Sequence, residues 1–289
     1  MDIKVYVLNS FARVKDGGNP AGVVTDCDNL SEKDMLDVSQ KVGFSETAFV
    51  QKSDKADFKV RFFTPAAEVD LCGHATIASF SLLRELNVLS VGTYTQETKA
   101  GVIKIEVRDD GFVMMGQPAP KFYEVLDGKI PAECLNISTG DLITGLPVQI
   151  VSTGLKDILV PVKSLNVLSS LEPDHEKITE ASREYDVIGI HAFTPESMFN
   201  SAAHCRNFAP LYGIPEESAT GTSNGALSCY LYKYGLIDGE QAKHVVIEQG
   251  YSMGRPSEII SKLDVRVNEI VTVQVGGKAF LDKQINIRV

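Results

Sequence analysis

The sequence holds no cluster of basic residues. Its 28 Lys and Arg stand against 38 Asp and Glu, for a formal net charge of −10. Nucleic-acid binding depends on concentrated Lys and Arg, so a phosphate-backbone partner is disfavoured. Cysteines are few: Cys27, Cys72, Cys134, Cys205 and Cys229 are odd in number and form no CxxC or paired Cys/His spacing. That pattern argues against a disulfide framework and against a zinc site. No stretch reaches the roughly 18 consecutive apolar residues of a membrane-spanning helix, and the N-terminus enters a strand-like alternation directly, so a cytoplasmic protein is expected. The glycine patterns of dinucleotide and P-loop sites are missing too, although Gly254-Arg255-Pro256-Ser257 invites a phosphate reading through its arginine. Arg255 is read either as structural or as part of a site wall.

What remains is an ordinary folded chain. With 289 residues, 44% of them hydrophobic and 23% charged, it has room for two domains, each with its own core. Alternating apolar residues predict strands at Ile3–Val7, Phe58–Phe62 and Ile103–Val107, the last turning through Asp109-Asp110-Gly111 into Phe112–Met115 as a hairpin. Ser31 followed by Asp34 predicts the start of a helix that buries Met35, Val38 and Val42. A second helix is expected from Gly73-His74 onward. Gly116–Pro120 reads as a boundary, because two prolines cannot continue a strand ladder. Beyond it, strands are predicted near 151–154, 158–162 and 186–190, helices over 176–184 and 226–234, and a terminal hairpin turning at Gly276-Gly277. The halves are placed at 1–120 and 121–278, with a strand at about 279–289 returning to the first.

An internal repeat carries more weight than these local readings. Arg61-Phe62-Phe63-Thr64-Pro65 is followed by Cys72-Gly73-His74-Ala75 and an apolar helix; Arg206-Asn207-Phe208-Ala209-Pro210 is followed by Thr220-Gly221-Thr222-Ser223 and another. The offset of about 145 residues is half the chain, which points to a duplicated domain. Helices that begin at such turns present unpaired N–H groups and a positive dipole end, which suits a small carboxylate. Cys72-Gly73-His74 is equally compatible with a tight turn in which the histidine caps the helix. Glu46, in Gly43-Phe44-Ser45-Glu46-Thr47-Ala48-Phe49-Val50, has mostly small or apolar neighbours. It is either a partly desolvated carboxyl able to take and return a proton, or an exposed glutamate at a strand end.

Six segments together resemble the PhzF, phenazine-biosynthesis-like family. They are Gly18-Asn19-Pro20-Ala21-Gly22-Val23, Ser45-Glu46-Thr47-Ala48-Phe49, Arg61-Phe62-Phe63-Thr64-Pro65, Cys72-Gly73-His74-Ala75-Thr76, Ala219-Thr220-Gly221-Thr222 and the run from Glu248 to Ser257. The resemblance spans nearly the whole chain. It implies an α+β fold of the diaminopimelate-epimerase type: two similar domains related by a pseudo-twofold axis, each a curved, mostly antiparallel sheet around a central helix, with the active site in the cleft between them. It also implies a homodimer, a small-molecule carboxylate substrate, no cofactor and no metal. The family's named reaction is isomerisation of trans-2,3-dihydro-3-hydroxyanthranilate. By this resemblance Glu46 is general acid and base, His74 and Thr222 bind or protonate substrate, Glu217 stands at an aspartate position, and Gly73 and Gly221 contribute to substrate binding.

The sequence departs from the family pattern twice. Glu217-Ser218 stands where Asp-Pro is usual, and Thr222 replaces a common serine, so the roles of Glu217 and Thr222 are less firmly carried over. A two-base racemase resembling diaminopimelate epimerase or proline racemase is an alternative, with Cys72 at one cysteine position. Thr220 occupies the other, and its hydroxyl is too weak an acid to replace a thiol. A silent small-ligand binder of the same fold is a third reading. The remaining histidines, His175, His191, His204 and His244, show no metal spacing or partner and read as surface or core residues.

Overall fold

A computed structural model of the protein describes residues 1–267 and 269–289. The fold is α+β, and the chain divides into two compact units, Met1–Gly116 with Gly276–Val289, and Gln117–Val275.

In the first unit, strand Asp2–Ser10 pairs antiparallel with both Ala279–Arg288 and Asn19–Val24. Asn19–Val24 runs parallel to Thr47–Gln51, which is antiparallel to Phe58–Phe63. That strand is paired with the short strand Glu68–Val69 and runs parallel to Gly92–Thr98, after which Gly101–Val107 and Val113–Gln117 continue the sheet antiparallel. The parallel step from Asn19–Val24 to Thr47–Gln51 needs a crossover, and helix Glu32–Val42 supplies it. Ser31 and Asp34 cap each other's backbone in a reciprocal box, and Gly43 closes the helix at φ 72°. Met35 and Val38 then pack with Ile3, Val5, Phe49 and Phe63.

Helix Gly73–Glu85 packs against Asp2–Ser10, Asn19–Val24, Thr47–Gln51 and Ala279–Arg288. It is buried on almost every side, from His74 through Phe80 and again at Leu82 and Leu83. Its sequence permits this: Ala75 and Ala78 let strands approach, and the hydroxyls of Thr76 and Ser79 donate back to the carbonyls of Cys72 and Ala75.

The second unit repeats the succession of pairings. Lys121–Leu126, Val148–Ser152 and Lys156–Pro161 are antiparallel neighbours; Lys156–Pro161 is parallel to Gly189–Thr194, which is antiparallel to Ala203–Ala209. Ala203–Ala209 pairs with the short strand Ile214–Glu217 and runs parallel to Val245–Gln249, itself antiparallel to Ser257–Arg266. Helix His175–Glu184 takes the crossover place of Glu32–Val42, and the buried helix Gly221–Lys233 that of Gly73–Glu85. In the first unit the place of Lys121–Leu126 is filled by the returning strand Ala279–Arg288.

The repeated Arg-x-Phe pattern has a physical content. Arg61 holds Glu68 bidentately at 2.7 and 2.8 Å, and Arg206 holds Glu216 at 2.9 Å through both nitrogens. Each guanidinium also lies over a phenyl ring of its own strand, Phe63 at 5.1 Å and Phe208 at 5.0 Å. Each clamp ties the short strand, Glu68–Val69 or Ile214–Glu217, to the sheet just ahead of the central helix.

Several element boundaries differ from the sequence reading. The strand expected at 186–190 begins at Gly189, because Asp186 adopts a left-handed φ of 51° and ends the preceding helical segment. The second central helix starts at Gly221, five residues before the expected position, because Gly221, Thr222, Ser223 and Gly225 lack the apolar pattern of its remainder. Gly276 and Gly277 lie inside strand Glu269–Gly277 and make no turn. A side chain at Gly276 would meet the Val113 carbonyl at 2.1 Å, so close strand approach accounts for the glycine.

The two clamps differ in what else supports them. Arg206 also donates to the carbonyls of Leu168 and Leu171 at 3.2 and 3.0 Å, whereas Glu68 retains Lys99 at 2.8 Å if Arg61 is lost. Arg206→Met is therefore expected to destabilise the protein by about 3 kcal/mol in urea unfolding, and Arg61→Met by clearly less.

Candidate active site

Glu46 occupies the last position before strand Thr47–Gln51, and its carbonyl accepts from the Gly22 amide at 3.3 Å. Its carboxylate Oε2 lies 3.3 Å from His74 Nε2, with the side chains 16% and 5% exposed. The contact is an ion-pair distance without hydrogen-bond alignment, and among the described residues that buried oxygen has no hydrogen-bond partner. The reading of His74 as the helix cap does not hold, because Cys72 is the N-cap residue and its side chain makes no cap hydrogen bond. The imidazole faces Glu46. Ser45 Oγ approaches Nε2 at 3.4 Å, and Cys72 Sγ lies 3.4 Å from Nδ1. Ser10 Oγ donates to the His74 carbonyl at 2.6 Å and anchors the first helical turn. Burial pulls the imidazole pKa below 6.5 and the Glu46 charge opposes that pull, so the ring is biased toward its neutral form. A side chain at Gly73 would touch only the Met115 methyl, at 3.5 Å, so packing within the unit does not demand glycine there.

In the second unit Glu217 ends the short strand Ile214–Glu217, and its Oε2 accepts from Thr220 Oγ1 at 2.5 Å. Thr220 is the N-cap, Gly221 the first helical residue and Thr222 the second. The structure thus gathers Glu217, Gly221 and Thr222 at one helix start, as it gathers Glu46, Gly73 and His74 at the other. Gln249 fixes the second start. Its amide nitrogen donates to the Glu217 carbonyl at 2.7 Å and to Thr220 Oγ1 at 3.1 Å, while its oxygen accepts from the Thr220 amide at 3.1 Å and Asn224 Nδ2 at 2.6 Å. Gly250 follows at φ 83°, where any side chain would strike the carbonyls of Arg255 and Ser218 at 2.4 and 2.5 Å.

Two histidines read as partnerless have partners. His204 Nδ1 lies 2.9 Å from Glu248 Oε2, and that fully buried carboxylate also accepts from the amides of Met198 and Phe199 and from Ser201 Oγ. These donors outweigh burial and hold Glu248 down at about 2. His191 Nδ1 lies 3.1 Å from Asn207 Nδ2, and complete burial drives its pKa to about 3. Asn207 continues to Ser223 at 3.3 Å, and Ser223 Oγ donates to Asp157 at 2.7 Å. Asp157 is buried with one oxygen unpartnered among the described residues, and desolvation pushes it up to about 7.

With this geometry in hand, comparison with known proteins is informative. The family model described as "Phenazine biosynthesis-like protein", PhzC-PhzF, matches residues 8–284. This chain belongs to the PhzC-PhzF family. It is 35% identical over 275 residues to the Bacillus subtilis protein named uncharacterized isomerase YfhB, covering 93% of this chain and 92% of that one. To a Pseudomonas fluorescens protein named trans-2,3-dihydro-3-hydroxyanthranilate isomerase it is 29% identical over 282 residues, 94% of each. The crystal structure of a Bacillus anthracis phenazine biosynthesis protein of the PhzF family superposes with a TM-score of 0.91 at 31% identity, over the full length of both chains.

Within this family chain, sequence reasoning passed over Ser10, Gln249 and the Asp157–Ser223 pair. Gln249 lies in the quoted run from Glu248 to Ser257, so a signal was present without a role attached. Asp157 and Ser223 come from a strand and a helix 66 positions apart, and no local pattern joins them. No helix among the described residues is long and apolar enough to cross a membrane.

Asp157 gives a pH signature. Its folded pKa is raised from 3.8 to about 7, so the fold favours the protonated acid. That contribution is fully present below about pH 4 and is lost as pH rises through 7. Relative to Asp157→Asn, the wild-type protein should lose roughly 2–4 kcal/mol of stability between pH 4 and 8 in urea unfolding. A constant difference across that range would contradict the assignment.

Proposed function

We propose that this family chain is a cofactor-independent isomerase that moves a proton along a small carboxylic acid, with Glu46 as the single acid/base. One observation carries the reading: a mostly buried carboxylate oxygen, lacking a hydrogen bond, faces an imidazole at the start of a buried helix. A base in that setting is not consumed by protein donors and meets a carbon-bound proton with little competing water. Glu46 as carboxylate takes the proton from one carbon of a conjugated acid. As carboxylic acid, after trading its proton with solvent on some turnovers, it returns a proton to another carbon, and no electron leaves or enters. His74 Nε2, held by burial toward its neutral form, assists at the same oxygen. Each helix start by itself, at Gly73 in the first unit and at Gly221 and Thr222 in the second, has the polarity that suits a carboxylate, and Glu217 stands beside the second, fixed through Thr220. The name borne by the Pseudomonas fluorescens relative makes a dihydro-hydroxyanthranilate the first substrate to try. We take the working form to be a cytoplasmic homodimer.

The two-base epimerase reading retains one favourable observation, the Cys72 thiol within 3.4 Å of His74. Against it, the counterpart of Cys72 is Thr220, whose hydroxyl is already committed to Glu217. Once a panel of small carboxylates, including trans-2,3-dihydro-3-hydroxyanthranilate, has yielded a substrate, proton exchange in deuterated water separates the two. Glu46→Gln should lower turnover by about a hundredfold or more with little change in ligand affinity, while Cys72→Ala should cost less than about tenfold. The reverse ranking would establish the two-base mechanism. Binding without exchange on any member of the panel would favour a silent binder.

A further inference from the structure

The first helix start brings together three chemically different donors. Cys72 Sγ, a ring nitrogen of His74 and a carboxylate oxygen of Glu46 all lie within 4.8 Å of one another. Glu46 Oε2 and Ser45 Oγ lie 3.3 and 3.4 Å from His74 Nε2, and the Cys72 sulfur lies beside the same ring, 3.4 Å from Nδ1 and 3.9 Å from Nε2. Tetrahedral zinc sites have metal–sulfur bonds of about 2.3 Å and metal–nitrogen bonds of about 2.0–2.1 Å, which sets neighbouring donors about 3.3–3.6 Å apart. The two oxygens stand at nearly that spacing from Nε2, and a side-chain rotation that carries the sulfur from the Nδ1 side toward Nε2 completes the set. A further feature points the same way: among the described residues nothing hydrogen-bonds to the buried Glu46 Oε2, which is costly for a carboxylate unless something cationic answers it.

We propose that Cys72, His74 and Glu46 form a binding site for one thiophilic divalent cation, zinc or cadmium, with a fourth position open to Ser45 Oγ or water. Sulfur and imidazole together select such ions over magnesium or calcium, which favour all-oxygen shells. On binding, the Cys72 thiol gives its proton to buffer and its sulfur bonds the metal; no oxidation state changes. The ion takes the carboxylate oxygen and the imidazole nitrogen assigned to proton transfer, so its regulatory meaning, reversible shut-off of the isomerase, rests on the proposed function. Metal binding itself does not.

The test is a titration of the full chain with cadmium chloride in chelator-stripped buffer near neutral pH, reading the ultraviolet cadmium–thiolate charge-transfer band, with zinc as competitor. The expected result is one equivalent bound, a band abolished by zinc and absent in Cys72→Ser, and affinity weakened by at least about tenfold in Glu46→Gln, whose thiol is intact. No band in the wild-type chain, a band undiminished in Cys72→Ser, or unchanged cadmium affinity in Glu46→Gln would overturn the site. If Cys72→Ser does not fold, the Glu46→Gln affinity decides alone. The two proposals fail separately: turnover that depends on Glu46 without cadmium uptake removes only the metal site, and cadmium uptake with undiminished exchange in Glu46→Gln removes only the isomerase reading.

Discussion

A helix buried on almost every side has one place where its polar groups must be answered, its first turn. Lateral burial of Gly73–Glu85 and Gly221–Lys233 forces small and apolar side chains along both, with hydroxyls returned to the helix's own carbonyls. The amides of the first turn have no such internal remedy. The surrounding strands of each unit bring polar side chains to that turn, where Gln249 Oε1 accepts from the Thr220 amide and Ser10 Oγ donates to the His74 carbonyl. Glu46 arrives from the edge of Thr47–Gln51, Ser10 from the end of the first strand, Gln249 from the end of Val245–Gln249 and Glu217 from the strand that the arginine clamp secures.

Duplication preserved this plan while the chemistry diverged. The clamps Arg61–Glu68 and Arg206–Glu216 are nearly superimposable in description, down to the phenyl ring beneath each guanidinium. At the helix starts, Cys72 answers to Thr220 and His74 to Thr222. One start thus has a thiol and an imidazole beside a loosely partnered carboxylate. The other has two hydroxyls and a glutamine with every hydrogen-bonding position of its amide occupied. The first leaves a carboxylate oxygen without a hydrogen bond among the described residues, whereas the second is tied down at every position of its glutamine amide.

Much of this was legible in the sequence. The capping box at Ser31, the hairpin at Gly111 and the repeat of Arg-x-Phe then Gly-turn depend on neighbours in the chain, and local spacing reports them. The six segments that resemble the PhzF family contain both Glu46 and His74, which the structure brings within 3.3 Å of each other. Contacts between distant elements were not legible: His204 read as a surface or core residue without a partner, and nothing near Asp157 in the chain points to Ser223. Burial is the missing quantity in each case. It raises Asp157, lowers His191 and leaves Glu46 Oε2 unanswered, and none of these follows from a residue's immediate neighbours.

The pairing of Asp2–Ser10 with Ala279–Arg288 also orders events in time. Backbone groups at Met1 and Val289 hydrogen-bond to each other, so the two ends of the described chain close one sheet. During synthesis the second unit, contiguous in sequence, has all its strands before the first unit has its last. Strand Asp2–Ser10 keeps one edge unsatisfied until residues 279–288 emerge. The half that carries Glu46 and His74 is thus the last to be completed, and a chain cut short before that strand would keep the second unit whole while leaving the first with an open, aggregation-prone edge.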